Sequence, residues 1–392
     1  MPLKSKLAYL TSTAGSEFLR RVMEDPRDDL GLASAPWMRG LLATERTALL
    51  EQRALRLKAL RKHSRAVEML FTPLGFQQMT SEPLARYKAS RLPNGLRVLA
   101  DLCCGMGGDS FHLPEEVFSV GVDNHSETLI AYGHNTRLFR FAQRVQADVT
   151  RFEGKVDGIL LDPARRSLAS LSGKRNFDAD PEPGWDAILD LVKKFRNAAI
   201  KLGPGVQLPD ALTEEEQEYI GLNDECLELT VRTGSFGKPG WVRAVELPEQ
   251  IAIEAQACDI PDSFGRVEAP GLYFYEPVKC VIRSHLFGVI AQREGLWQLD
   301  GRLAYLSGDR KVESPFLKRY RMIRVLPCDD AILRRELSPH EIGILEIKKR
   351  GLDVDPEEWR RKLKPKGPNA ATLVFTRLLG KAAVLWVEPD GE

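Results

Sequence analysis

The chain has 392 residues, 43% hydrophobic and 28% charged, with a net charge of +1; this is the profile of a soluble globular protein of two to three domains. No apolar run approaches the ~20 residues that cross a bilayer, which excludes a helical membrane protein, and the polar-interrupted start MPLKSKLAYLTSTAGSEFLRR does not read as a signal peptide. Six cysteines, at 103, 104, 226, 258, 280 and 328, have neither the paired spacing of zinc sites nor the density of a disulfide scaffold, so a cytoplasmic protein without a metal is expected.

The charge is graded along the chain: +6 over 1–90, −9 over 91–315 and +4 over 316–392. Basic flanks around an acidic centre suit a polyanion held by the ends, and they equally suit ordinary solvated surface. Residues 1–90 read as a helical region, with Leu, Ala and Met at helical spacing through RALRLKALRKHSRAVEML. There Lys58, Arg61, Lys62 and Arg65 fall on one face of a predicted helix, either to follow phosphates or as its wet side.

From residue 97 the pattern changes to short apolar runs between helix-length segments: RVLADL (97–102), VFSVGVD (117–123), RVQAD (144–148), VDGILLD (156–162) and AAIKL (198–202). Such runs predict a parallel sheet covered on both faces. ECLELTVR (225–232) and WVRAVEL (241–247), joined by a short Gly/Pro connector, are expected to pair antiparallel as its closing hairpin. The domain boundaries expected are 1–90, helical; 91–250, the sheet domain; 251–317, a small α+β domain; and 318–392, a second one. In the last, LSPHEIGILEIKKR is helix-like, and ATLVFTR and KAAVLWVEP form a strand pair about Leu379–Gly380. Of the contiguous Tyr273, Phe274 and Tyr275, two are expected in the core, because neighbours on a strand point to opposite faces.

The strongest chemical signal is VLADLCCGMGGDS, 98–110. A buried strand carries Asp101 at its tip and passes into a turn with Gly105, Gly107 and Gly108, with a helix expected to start near Asp109. Glycines serve where a ligand must approach backbone, and a helix N-terminus favours a carboxylate. The spacing is neither GxGxxG nor GxxxxGK[ST]. Asp123 follows 22 residues after Asp101 at the tip of the second strand, where a carboxylate can take two ribose hydroxyls. Asp148 closes the third strand, and Asp162 opens DPARR at the tip of the fourth. One strand-end Asp is usually a helix cap; four in register predict a shared crevice at the carboxyl edge of the sheet.

The order DLCCGMGGD, VDN, ADVT, DPARR and IKLGPG resembles the class I S-adenosylmethionine-dependent methyltransferases. Among them the chain is most similar to a bacterial group with a C-terminal THUMP-like domain, on TSEPLARYKASRL, DPARR and EIGILEIKKRG…WRRKLKPKGPNAATLVFTR. The resemblance covers nearly the whole chain. It implies a Rossmann-like α/β fold with a seven-stranded sheet ending in an antiparallel hairpin, a helical N-terminal region and small α+β C-terminal domains, with 251–317 ferredoxin-like and 318–392 THUMP-like. It implies S-adenosyl-L-methionine as cofactor. Asp101, Cys103, Gly105, Gly107 and Gly108 would hold the methionine portion, Asp123 with Asn124 the ribose, and Asp148 with Val149 the adenine. Asp162, Pro163 and Arg165 would border the target atom.

The acceptor expected is a base in RNA. DPARR differs here from the Pro-Pro-aromatic motif of RNA cap guanine-N2 methyltransferases, whose aromatic would stack a flipped base. Asp162 is a candidate proton acceptor. Arg165 and Arg166 are candidates for a phosphate contact, or for ion pairs with Asp178, Asp180 and Glu182. The cluster Arg360, Arg361, Lys362, Lys364 and Lys366 is a further RNA-contact candidate. His112, His125 and His134 are expected to be structural, with His125 starting the helix after Asp123. The alternatives are a small-molecule or protein methyltransferase of the same fold, and a non-catalytic RNA-binding protein that keeps the cofactor pocket.

Overall fold

The computed structural model describes residues 2–138, 142–165, 181–261 and 266–390, with Arg165 defined in its backbone only. The chain forms two compact units, one of Met1–Leu222 with Leu227–Gly240 and one of Asn223–Cys226 with Trp241–Glu392. No helix among the described residues is long and apolar enough to cross a membrane.

The first unit begins with helices α1 (Leu3–Leu10), α2 (Thr13–Glu24), α3 (Asp29–Ala33) and α4 (Ala43–Ala59). Ser12 caps α2 by accepting from the Gly15 amide at 3.1 Å. Helix α4 buries Ala48, Leu49, Gln52, Arg56 and Ala59, spaced at helical period and including two polar residues. Their partners explain why α4 stops. The Gln52 amide exchanges hydrogen bonds with the Phe71 backbone at 2.7 and 2.8 Å, and Arg56 Nε donates to the Met69 carbonyl at 2.7 Å. The irregular chain after α4 thus has its backbone groups satisfied by the helix.

The single basic helix face expected at 58–65 does not form. Only Lys58 lies within α4. Lys62 Nζ donates to the carbonyls of Phe76 and Gln77 at 2.7 and 3.2 Å, and Arg65 binds Glu68 and the Leu138 carbonyl. These contacts claim Lys62 and Arg65, so those two leave the phosphate reading. Two further helices, α5 (Pro73–Gln78) and α6 (Glu82–Ser90), lead into the sheet.

The strands of this unit are β1 (Val98–Leu102), β2 (Phe118–Asp123), β3 (Ala142–Gln146), β4 (Gly158–Leu161), β5 (Ala198–Leu202), β6 (Glu216–Leu222) and β7 (Glu225–Thr233), with α7 (Ser126–Thr136) and α8 (Trp185–Phe195) between them. Their order is β6-β7-β5-β4-β1-β2-β3. Strands β1 to β5 pair in parallel and β7 pairs antiparallel with β5. The chain reverses at β1, which is the topological switch point where open α/β sheets bind ligands.

The closing hairpin is not the one expected. Its strands are β6 and β7, joined by Asn223–Asp224 with φ of 51° and 61°, the two left-handed residues of a type I′ turn. Trp241–Leu247 pairs antiparallel with Ile251–Gln256 instead. The Asn-Asp turn was the stronger signal, because only short polar side chains enter that backbone region readily.

In the second unit β8 (Trp241–Leu247) and β9 (Ile251–Gln256) are followed by β10 (Tyr273–Pro277), β11 (Trp297–Gln298), β12 (Leu306–Gly308), β13 (Leu317–Pro327), β14 (Ile342–Lys349), β15 (Asn369–Leu378) and β16 (Lys381–Pro389). The last seven form one sheet ordered β11-β12-β10-β13-β16-β15-β14. Phe274 and Tyr275 are fully buried, the two core aromatics expected there. Leu379 and Gly380, both at positive φ, turn β15 into β16.

The helix-like EIGILEIKK is strand β14, parallel to β15, with a register shift between Ile342 and Ile344. That bulge puts Ile342 and Leu345 on the buried side three residues apart and so imitates helical spacing. The basic cluster of 360–366 is partly spent: Arg360 pairs with Glu357, Lys362 with Glu358, and Arg360 Nε donates to the Leu345 carbonyl.

Candidate active site

Residue Asp101 of β1 lies level with Gly121 of β2 and Leu160 of β4, and Asp123 of β2 level with Gln146 of β3. The four aspartates therefore sit along one carboxyl edge. The Cys103 thiol reports their convergence: burial, then the charges of Asp162, Asp123, Asp101 and Asp148, all push its proton affinity up. Of the four, Asp101 and Asp162 line a common cavity.

The loop after β1 is shaped by left-handed backbone at Cys103, Gly105 and Gly107, with φ of 60°, 52° and 92°. A side chain at Gly107 would strike Phe111 at 2.7 Å, and one at Gly108 would strike Met79 at 2.8 Å. At Gly105 nothing lies within 4 Å, so its open face borders free space. Its amide donates to Asp123 Oδ2 at 3.1 Å, and Asp123 Oδ1 accepts from the His125 amide at 2.8 Å. His125 caps α7, as expected.

The helix expected at Asp109 is only the 3₁₀ turn Ser110–His112. Asp109 turns inward, because Lys88 Nζ at 2.6 Å and Thr80 Oγ1 at 2.9 Å hold it. No helix N-terminus stands at this loop.

Asp101 is buried and accepts from Ser110 Oγ at 2.5 Å. Burial, with the nearby Asp109 charge, lifts its pKa to about 7. Asp148 caps the turn Val149–Arg151, accepting from the Thr150 amide at 3.0 Å and hydroxyl at 2.8 Å. Val149 is buried in the hydrophobic core beneath it, and Asn124 is exposed. Pro163 is buried after Asp162, and the Arg165 backbone pairs with Pro181. Arg166, Asp178 and Asp180 lie outside the described residues.

Five side chains with no assigned role in the sequence complete the site. Lys201 of β5 places Nζ 2.6 Å from Asp162 Oδ2, 2.8 Å from Thr80 Oγ1 and 3.7 Å from Asp109 Oδ2. Lys88 of α6 bridges Asp109 at 2.6 Å and Glu228 of β7 at 2.9 Å. The set reads Glu228, Lys88, Asp109, Lys201, Asp162: alternating charges, mostly buried.

Burial raises the proton affinity of Asp109 and of Asp162, but Asp109 faces both lysines and falls to about 2. Asp162 faces Lys201 chiefly and has Asp109 against it, so burial wins and its pKa rises. Asp162 is 34% exposed. Among these carboxylates it is the one best suited to take a proton.

The signals were present: a Lys inside the apolar AAIKL, and Glu228, Thr230 and Arg232 at period two on one face of β7. All three line a cavity of about 30 Å³ with Lys88, Asp101, Asp109, Asp162 and Lys201.

His63 and His112 stack at 5.4 Å between ring centres, with their Nε2 atoms 3.3 Å apart. Burial depresses both, His112 to about 4. Arg86 and Arg65 act in the same sense on His63, and Glu82 opposes them. A depressed imidazole is charged in the unfolded chain before it is charged in the folded one, so stability is full above pH ~6.5 and falls as pH drops towards ~4. Melting temperature is expected to decline over that window, and less steeply in His112→Asn. Equal slopes would rule out this pair as a source of the acid sensitivity. His134, bonded to the Glu68 carbonyl at 3.0 Å, is structural.

Residues 317–389 match the THUMP domain-like family, over the strands β13 to β16. Uncharacterized S-adenosylmethionine-dependent methyltransferases from two strains of Mycobacterium tuberculosis are 33% identical over 354 residues, covering 88% of this chain and 93% of theirs. A crystal structure from Porphyromonas gingivalis W83, of a protein assigned as a methyltransferase, superposes over 99% of this chain and 98% of its own with a TM-score of 0.73 at 18% identity. This chain belongs to the S-adenosylmethionine-dependent methyltransferases and carries a THUMP-like domain at its C-terminus. The site fits that cofactor on two observations: the open face at Gly105, and the strand-tip carboxylates along one edge of the sheet, which suit a cationic sulfonium.

Proposed function

We propose that this enzyme methylates RNA, with the crevice at β1 to β4 holding the donor and Asp162 facing the acceptor. The THUMP-like match over 317–389 carries the RNA part of the reading. The cofactor supplies an electrophilic methyl group on a sulfonium. Gly105, Gly107 and Gly108 with Cys103 and Asp101 bind its methionine end, Asp123 and Asn124 its ribose, and Asp148 with Val149 its adenine. Asp162, followed by Pro163 and Arg165, borders the atom to be methylated, and holding reactants in line supplies most of the rate gain.

Two measurements test this. Gly105→Val fills the open face of the loop and adds about 1–2 kcal/mol of left-handed strain; calorimetric affinity for S-adenosylmethionine is expected to fall at least about tenfold, or 1.4 kcal/mol. Undiminished affinity would place the donor elsewhere. Mass spectrometry of RNA nucleosides from cells lacking the protein is expected to show one methylated nucleoside missing, restored by the wild type but not by Asp162→Asn. An unchanged profile rejects RNA as acceptor.

A further inference from the structure

We propose that the acceptor atom is a hydroxyl oxygen, the 2′-hydroxyl of an RNA ribose, and that Asp162 takes its proton while Lys201 holds Asp162 in position. The inference rests on the RNA reading above, since within an internal RNA nucleotide the 2′-hydroxyl is the only alcohol.

Three observations point to a hydroxyl rather than a base. The space beside Asp162 and Lys201 is about 30 Å³; that is room for one or two water-sized groups and too little for a flat ring. The described residues that line it include no aromatic side chain on which a flipped base could stack. Its polar part is an array of ammonium and carboxylate groups set among Ala89, Leu92, Leu113, Leu160, Leu161 and Ala199, and it contains an unsatisfied donor. Arg232, 1% exposed, has Nη1 without a hydrogen-bond partner among the described residues, so oxygen is the fitting occupant. A hydroxyl both accepts from such cations and donates to such carboxylates.

The chemistry agrees. An alcohol is a weak nucleophile until its proton is withdrawn, so a hydroxyl acceptor requires a fixed base. Lys201 Nζ binds Oδ2 of Asp162 at 2.6 Å, while Oδ1 has no hydrogen-bond partner among the described residues. Around it stand Lys201 on β5, Asp109 after the glycine loop, Lys88 on α6, Asp101 on β1, Cys103, and Glu228 and Arg232 on β7.

In the transfer, the hydroxyl oxygen forms its bond to the methyl carbon as the sulfur–methyl bond breaks, and that electron pair stays on sulfur. The hydroxyl proton passes to Asp162 Oδ1. The sulfonium charge and the carboxylate charge disappear together, leaving a neutral thioether, a methyl ether and a carboxylic acid. The exposed part of Asp162 returns the proton to water. Lys201 is a positioning residue: it fixes the carboxylate and keeps it ionised until the alcohol arrives.

The test uses the full-length protein, methyl-labelled S-adenosylmethionine and RNA from cells lacking the protein, followed by alkaline hydrolysis. A 2′-O-methyl group blocks cleavage at the adjacent phosphate, so label is expected in alkali-resistant dinucleotides. Label released in mononucleotides means base methylation; it overturns the hydroxyl inference and leaves the RNA reading standing. Absence of label from RNA overturns both. Carbon-13 NMR of the aspartate carboxyls in the cofactor-free protein tests Lys201 separately. Lys201→Met is expected to raise the Asp162 midpoint by about one pH unit or more, the worth of one close opposite charge, and Lys201→Arg to restore it. An unmoved midpoint removes Lys201 from its role.

Discussion

Replacing Asp162 by asparagine is expected to lower the turnover of methyl transfer by about 10²–10⁴-fold, the usual worth of a positioned proton acceptor. Asparagine has the same shape and still accepts from Lys201, which now lies 2.6 Å from Asp162 Oδ2. Lys201 also keeps its contact with Asp109 at 3.7 Å, so it is not stranded. What is lost is the ability to receive a proton. Binding of S-adenosylhomocysteine, followed by calorimetry, should change by less than about tenfold, or 1.4 kcal/mol, because the donor contacts proposed above lie chiefly in the loop after β1 and at Asp123. In the wild type the acid limb of the rate profile should lie above the ordinary carboxylate range, since burial and Asp109 raise the Asp162 pKa. Rates rise as Asp162 ionises, so activity is lost on acidification. Turnover within tenfold of wild type in Asp162→Asn would mean that another group accepts the proton.

The second large effect concerns the fold beneath the site. Lys88→Met is expected to cost about 3–5 kcal/mol of stability, the range for removing one partner of a buried ion pair. Lys88 neutralises Asp109 and Glu228 at 2.6 and 2.9 Å, and Glu228 is 1% exposed. Both carboxylates would be left in poor solvent. Burial pulls the Lys88 pKa down, yet Asp109 and Glu228 raise it above its ordinary value, so the lysine is charged at neutral pH. Adding Glu228→Gln to Lys88→Met should recover part of the loss by removing one stranded charge. Urea unfolding of the three proteins measures this. A cost under 1 kcal/mol for Lys88→Met would show that water, not Lys88, compensates the carboxylates.

The same cluster shows why α6 belongs to the site although it precedes the sheet. Tyr87 OH donates to Glu218 at 2.5 Å, and Arg91, just beyond the helix, pairs with Glu216 and Glu218. Glu218 also meets the buried Arg232 at 2.9 Å. The last turn of this helix and the residue after it thus grip β6 through Tyr87 and Arg91, while Lys88 between them reaches β7 at Glu228 and Asp109 after the glycine loop. The sequence marked this segment through its resemblance, but composition and periodicity said nothing of its partners.

Much of the architecture was legible locally. The five parallel strands announce themselves as apolar runs because both faces of such a sheet are covered, and AAIKL spans the strand Ala198–Leu202 with no error at either end. The strand-tip aspartates were readable because a carboxylate at the end of a buried run is seldom needed for packing. The errors came where local pattern and long-range pairing disagree. The basic stretch at 58–65 continues a helical period, yet Gln52 and Arg56 bind the following backbone and the helix ends. EIGILEIKK has helical spacing only because a bulge shifts a strand's phase.

The amino-acid order by itself determined the five parallel strands, the glycine loop, the four aspartates and, through 33% identity to known relatives, the methyltransferase family. Only the tertiary structure decided what surrounds Asp162. Lys88, Asp109, Lys201 and Glu228 come from four separate elements spread over 140 positions, and none of them forms a motif with another. Charge–charge energy depends on distance and burial, not on sequence separation. The proton affinity of Asp162, and with it the chemistry the site can perform, therefore emerges when the chain closes around it.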